Sequence, residues 1–538
     1  MSLNSKFKVP VPENGIIIRR SGKYPYVYKV LSTFRTKDGR PTNTRKSIGK
    51  LDPESGMLIP NESYWEFYGK TPDALNIYSF DETPTLDSVR SIGATFLIGR
   101  IMESIGISDI LKEVFGSKKA EAIMTAATYM VCRGNVLQHI SDWCESHTIH
   151  ESTLTSQSSS FLFTSITFQE RMSFFRSWVE RQAHNEYYAY DVTSFSSYAK
   201  GVAETEWGYN RDDEKLPQVN FGCYLGQQSK LPVFYVTYPG SIVDKSHMQY
   251  MMAYNKTLGI DKACFIMDRG FCTTKNINYM HSVKLPYVIG VEKSHKSTRA
   301  VIDDVREGIV SMRYLVKDGV YARSKRSRFY GETSTMHIYF APDLAERQRS
   351  DLFRLIETKE ERLSQLEQLT KAEAKRYRCF FDITLAENGT FDYVRNYDKI
   401  DEAAKNCGFF CLLTNTASGS ADVLDIYRHK DTIEKSFDDL KNHVDMKRLR
   451  AHSSDAVDGK MFCAFIALIA ALEMSNRLSV FMKEKSLCKN SLISELEKIK
   501  VVFMNDGRRL MNPVTKTQRT IFEACGFSED DLLRYSAR

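Results

Sequence analysis

Five short runs rich in β-branched and aromatic residues lie between residues 186 and 291: EYYAYDVT at 186–193, QVNFGCYL at 218–225, PVFYVTY at 232–238, ACFIM at 263–267 and YVIGV at 287–291. Each has the length of a strand and is flanked by turn-forming residues. Helical spacing fills 245–258, between the third and fourth runs, and 274–283, between the fourth and fifth. Three strands in succession, then helix, strand, helix, strand, specify a mixed α/β sheet rather than a bundle or a sandwich.

That element order is ribonuclease-H-like, and it is expected to form the core in two parts, 181–299 and 403–480. Residues 300–402 interrupt it with strand-like pieces (310–316, 335–340, 378–385), a Glu/Lys/Leu-rich helix over 344–369 and an Asn388-Gly389 turn. They are read as an inserted α+β subdomain. After it come a buried strand, Phe409 to Thr414, and a helical remainder from Asp422 onward, with 481–538 as a C-terminal helical region. A chain of 538 residues is too long for one hydrophobic core, so several domains are expected. With 42% apolar and 26% charged residues it has ordinary globular composition.

Charge is unevenly placed. The net charge is +7, but the first 50 residues hold 12 Lys/Arg against only Glu13 and Asp38. Alternation at Tyr24, Tyr26, Tyr28 and Val30, followed by Lys37-Asp38-Gly39, predicts a hairpin within a basic β-ribbon domain over 1–80. Its Arg19, Arg20, Arg35, Lys37, Arg40, Arg45 and Lys46 suit contact with a phosphate backbone, and a solvated basic tail is the plainer alternative. Residues 81–180 follow with helical spacing at Val89, Ile92, Phe96, Leu97, Ile101 and Ile105, either a second DNA-contacting module or a structural bundle. The longest apolar stretch, Met461 to Met474, falls short of the roughly 20 residues a bilayer demands and is expected to be a buried helix, so no membrane association is expected. No secretory signal is visible, and the 11 scattered cysteines form no zinc-type pairs.

Two acids stand where acids are costly. Asp191 follows YYAY in the first strand and Asp268 follows CFIM at the end of the fourth. A carboxylate in such a place demands a metal or a hydrogen-bond network. If the first and fourth strands are neighbours, the two side chains meet at one edge, and a third acid from a packed helix completes an oxygen cage for Mg2+ or Mn2+.

The segment Tyr427 to Lys441 supplies that acid. Tyr427, Lys430, Glu434 and Lys441 are spaced to share one side of a helix, while Ile426, Ile433, Phe437 and Leu440 supply its buried side. An exposed helix with ordinary Lys/Glu pairs would show similar spacing. The run resembles the signature helix of the IS4-type transposase superfamily: Tyr, two residues, Arg, three residues, Glu, six residues, Lys. Tyr427, Glu434 and Lys441 match in place, while Lys430 stands where the family has Arg, exchanging a bidentate fork for a point charge. YDVTSFSS, FIMDRGF and GFFCLLTN are similar to the family's other blocks, and SIGKLD with the apolar helix after DGKMFCAFIALIAAL looks most like the IS1634 group. The resemblance spans about residues 20 to 480.

It implies an insertion-sequence transposase of the DDE type, with Asp191, Asp268 and Glu434 holding two Mg2+ or Mn2+ ions. DNA would be cut at terminal inverted repeats and its 3′ ends joined to target DNA. Tyr427, Lys430 and Lys441 would steady phosphates, and Arg269 is either a phosphate contact or an ordinary surface residue. Partners would be double-stranded DNA, as transposon ends and target, and a second copy in a synaptic homodimer, in the DNA-associated cytoplasm of a prokaryotic cell. A domesticated relative that binds DNA without chemistry and a stand-alone metal-dependent nuclease are the alternatives. Some relatives stack a flipped base on a tryptophan of the inserted subdomain. Trp65, Trp143, Trp178 and Trp207 all lie outside 300–400, leaving Tyr321, Phe329 or Tyr330, among Arg323, Lys325, Arg326 and Arg328, as the aromatic candidates, although a solvated basic hairpin is the favoured reading of that segment.

Overall fold

The computed structural model describes residues 8–21, 24–69, 85–148, 153–182, 187–199, 201–209, 211–212, 214–260 and 263–537. They fall into two compact units, one within 1–88 and 503–508, the other within 89–502 and 509–538. The last eleven residues of the expected N-terminal domain, 70–80, lie outside the described residues.

The first unit is an antiparallel sheet in the order β1 (Ile16–Ser21), β2 (Tyr24–Arg35), β3 (Pro41–Leu51), β4 (Leu58–Pro60). The hairpin between β2 and β3 closes where Asp38-Gly39 predicts it: the Gly39 N–H donates to the Thr36 carbonyl at 2.8 Å, and Gly39 has a φ of 78°, a conformation glycine adopts without strain. Val27, Ile48 and Leu58 form a small core beneath the helix Glu62–Tyr68. The ribbon is thus part of a four-stranded sheet, and its tip, 31–40, is exposed throughout.

The chain leaves the first unit in β5 (Leu86–Ser91), so Val89 belongs to a strand and not to the expected helix face, which begins at Gly93. In the second unit the helices Gly93–Ser104, Ile107–Phe115, Ser117–Arg133, Ser156–Ser165 and Phe168–Arg181 surround the helix Ser454–Lys485, whose centre, Met461 to Met474, is almost wholly buried. Gly459 makes this packing possible, because a Cβ there would lie 2.0 Å from the Phe163 carbonyl oxygen. No helix among the described residues is long and apolar enough to cross a membrane.

Beside this bundle lies a nine-stranded sheet. Its strands are β6 (Tyr188–Ser196), β7 (Gln218–Gly226), β8 (Pro232–Pro239), β9 (Phe265–Met267), β10 (Tyr287–Val291), β11 (Leu315–Lys317), β12 (Val320–Phe329), β13 (Glu332–Phe340) and β16 (Phe409–Thr414), with β14 (Phe381–Leu385) and β15 (Phe391–Arg395) forming a separate hairpin. The order is β11-β12-β13-β16-β10-β9-β6-β7-β8. β6, β7 and β8 are antiparallel neighbours, whereas β9 runs parallel to both β6 and β10. Asp244–Ala253 and Thr274–Ser282 are the helices entering β9 and β10.

Within the span read as the insertion, β13 covers the expected strand at 335–340 and β12 is a strand not expected there, and both extend this sheet through β16. The helix Pro342–Ser364 and the β14–β15 hairpin instead gather around their own core of Ile356, Leu363, Leu369, Phe381 and Ile400. The helical remainder expected from Asp422 is interrupted. Helices Ser420–Arg428 and Asp431–Asp438 are separated at His429-Lys430, a π-turn spans Asp439–His443, and extended chain precedes Ser454. Short strands at Lys500–Met504 and Arg509–Met511 break the C-terminal region as well.

Candidate active site

The parallel pairing of β6 with β9 fixes the first two acids. Tyr190 stands opposite Met267, so the next residues along, Asp191 and Asp268, emerge side by side. Strand β6 stays buried on both sides of Asp191, and the carboxylate takes a hydrogen bond at 2.8 Å from the Val192 N–H. Asp268 ends its strand and caps the short turn Arg269–Phe271, accepting from the Arg269 N–H at 2.8 Å.

Burial pushes the Asp191 carboxyl up to about 6, and Asp268 adds to the rise. Lys430, the Val192 N–H and Arg211 act against it. Two carboxylates held this close in a partly dehydrated place call for positive charge.

The helix Ser420–Arg428 is anchored by Val423 and Leu424 in a cluster with Ile266, Val288, Tyr339 and Leu412. This anchoring aims Tyr427 at the second acid, with its hydroxyl donating to Asp268 Oδ1 at 3.4 Å. Burial first, then the Asp268 carboxylate, raises the Tyr427 phenol well above its ordinary range, so it remains a donor. Gly290 in β10 leaves room for it: a Cβ there would sit 2.7 Å from the Tyr427 hydroxyl.

The next helix is fixed by buried Ile433, Phe437 and Leu440, with Phe437 meeting Phe221 of β7 at 6.2 Å between ring centroids. It carries Lys430 and Glu434, joined at 2.7 Å between Nζ and Oε1. The Lys430 side chain is only 7% exposed and that of Glu434 59%. Burial disfavours the ammonium, but Asp191, Glu434 and Asp268 outweigh burial and raise its pKa. One lysine therefore lies within electrostatic reach of all three expected acids. Among the described residues, no three His, Cys, Asp or Glu side chains converge closely enough to hold a metal ion.

Lys441 departs from expectation. It lies in the π-turn, which breaks the simple helical phase from Glu434, and its ammonium pairs with Asp212 at 2.7 Å. The Arg269 side chain is exposed beside Asp268. Among the candidate DNA contacts, Arg19, Arg20, Arg35, Lys37, Arg40 and Lys46 are exposed on the first unit's sheet and ribbon. Arg45 is half-buried over the Tyr28 ring, and Lys46 pairs with Glu66. The aromatic candidates fare less well: Phe329 is buried, and Tyr330 is half-buried and stacked on His295 at 4.7 Å.

Sequence reasoning missed Arg211. It is held by Asp244, which also accepts from the Tyr238 hydroxyl at 2.7 Å, and it acts on the Asp191 charge. It lies in the connection between β6 and β7, where no strand or helix period marks a residue as facing the site.

The model of the family described as "Transposase DDE domain" matches residues 184–470, more than half of the chain. The chain belongs to the transposase DDE domain family. The matched span of this DDE-domain protein holds Asp191, Asp268, Tyr427, Lys430, Glu434 and Lys441. No curated protein matches the sequence. Among solved structures, a piggyBac transposase determined by cryo-EM in a synaptic complex with hairpin DNA aligns at a TM-score of 0.37 and 9% identity, over 75% of this chain and 76% of that one.

Proposed function

We propose that this DDE-domain protein is an active transposase that cleaves and rejoins DNA at Asp191, Asp268 and Glu434 with two divalent cations. The observation that carries this reading is the strand register placing Asp191 beside Asp268, under the helix that bears Lys430 and Glu434. All three acids offer only oxygen, a donor set suited to Mg2+ or Mn2+ rather than to zinc. Two such ions would stabilise the attacking and leaving oxygens of an in-line phosphoryl displacement.

In this reading the five strands β8-β7-β6-β9-β10 are a ribonuclease-H-like core, and the subgroup is IS4-type, with motifs most like those of the IS1634 group. Tyr427 positions Asp268 by its hydroxyl, while exposed Arg269 is available to a phosphate. The basic residues of the first unit hold transposon ends, target DNA enters the same site, and two copies bring two ends together.

Purified protein incubated with DNA carrying the element's own terminal repeats should nick it only when Mg2+ or Mn2+ is added. Asp191→Ala, Asp268→Ala and Glu434→Ala should each abolish cutting while end binding persists. Cleavage that survives chelation of divalent ions would defeat the metal reading. Specific binding with no cleavage under any cation would leave a DNA-binding relative without chemistry.

A further inference from the structure

Lys430 is badly placed for every ordinary role of a lysine on a helix. It is the N-cap residue of Asp431–Asp438 and makes no capping hydrogen bond, and the positive end of a helix dipole disfavours a cation there. Its partner Glu434 lies four residues toward the C-terminus, the weaker orientation for such a pair. Its side chain is almost wholly buried, whereas lysine ordinarily keeps its head in water. Its ammonium is held there by Glu434 Oε1 at 2.7 Å, and the charges of Asp191 and Asp268 also favour it.

We propose that Lys430 is an internal counter-cation: its ammonium neutralises the acid cluster until divalent ions enter, and is then released toward bound phosphate. The inference rests on the metal reading of Asp191, Asp268 and Glu434. Glu434 Oε1 is engaged by Lys430, so a cation shared by the three acids meets this ammonium as a competing positive charge. A freed ammonium on a four-carbon stem is a mobile point charge suited to a phosphate oxygen. Ion entry and phosphate contact are then linked through one side chain. An arginine fork at this place would be bulkier and harder to detach from a carboxylate, so the lysine gives the exchange its ease.

The full-length protein should be titrated with Mn2+, following free Mn2+ by electron paramagnetic resonance, as wild type, Lys430→Met, Lys430→Arg and Asp191→Asn. Without the competing ammonium, Lys430→Met should bind Mn2+ at least about tenfold more tightly than wild type. Lys430→Arg should bind no more tightly than wild type. Thermal unfolding in chelator supplies a second readout: Lys430→Met should melt below wild type, and Mn2+ should close the gap. Unchanged or weaker Mn2+ affinity in Lys430→Met, or a melting deficit that Mn2+ leaves intact, would overturn the counter-cation role. Failure of Asp191→Asn to reduce Mn2+ binding by the wild-type background would instead overturn the metal reading itself.

Discussion

At the scale of single residues, Asp191 carries the clearest electrostatic signature. Its native carboxyl titrates near 6 against an ordinary value of 3.8, so the folded protein holds that proton more tightly than the unfolded chain does. The associated stability is complete below about pH 4 and is lost as pH rises through 6. Metal-free Asp191→Asn lacks this dependence. Relative to wild type, its unfolding free energy should therefore improve by about 1–3 kcal/mol between pH 4 and pH 7, as chemical denaturation in chelator would measure. Tyr427 and Gly290 form a second testable unit. Gly290→Ala drives a methyl group into the Tyr427 hydroxyl, so it and Tyr427→Phe should both lower metal-dependent cutting, each by about tenfold. The double variant should be little worse than the poorer single one, a coupling that single-turnover assays would reveal. Asp191 and Asp268 were conspicuous in the sequence because each follows an apolar or aromatic run, whereas Glu434 was singled out by its spacing from Tyr427, Lys430 and Lys441 and by the family resemblance. The burial of Lys430 within the field of Asp191 and Asp268 was not legible, since spacing indicates a shared side of a helix without saying which charges lie across from it.

Among the secondary-structure elements, the segment from Ser420 to Ala451 departs most from a sequence reading. Its apolar residues keep helical spacing, yet the chain breaks at His429-Lys430, where the Thr432 and Ile433 amides donate only three residues back. Further on, the Val444 N–H reaches the Asp439 carbonyl at 3.0 Å in a π-type bond. Periodicity reveals neither feature, and the chain just beyond them is held by partners distant in the sequence. One of these is Asn135, whose buried amide donates to the Asp445 carbonyl at 2.7 Å and the Arg448 carbonyl at 2.8 Å. Lys460, buried in the central helix, donates in turn to the Asn135 carbonyl at 3.2 Å. Asn135→Ala should cost about 2–3 kcal/mol of unfolding free energy and increase hydrogen exchange across 444–450. The β2–β3 hairpin, by contrast, was readable to the residue, since Asp38-Gly39 specifies a turn by local conformation alone.

For the molecule as a whole, the residues proposed to hold DNA and those proposed to cut it reside in different units: exposed arginines and lysines in the N-terminal sheet, Asp191 and Asp268 at the nine-stranded one with Glu434 on a helix of the same unit. Replacing Arg19, Arg20, Arg35, Lys37 and Arg40 together by serine should weaken DNA binding and flatten its dependence on salt, by about 0.9 in log–log slope for each phosphate that is no longer neutralised. Fluorescence anisotropy at several salt concentrations would measure both effects, and an unchanged slope would remove these side chains from the DNA interface. Strand order across the large sheet was only half visible in the sequence. Local pattern identified the runs that became β6 to β10, but nothing local announces that β12 and β13 join through β16, a pairing between segments far apart in the chain. The same long reach has a consequence for synthesis. A ribosome makes Asp191 and Asp268 well before the stretch containing Lys430, so a nascent or prematurely terminated polypeptide carries the two adjoining acids without the ammonium that tempers them. Shortened products would keep the N-terminal basic sheet yet lack the closing helix, and on the proposed reading such fragments would occupy nucleic acid without processing it.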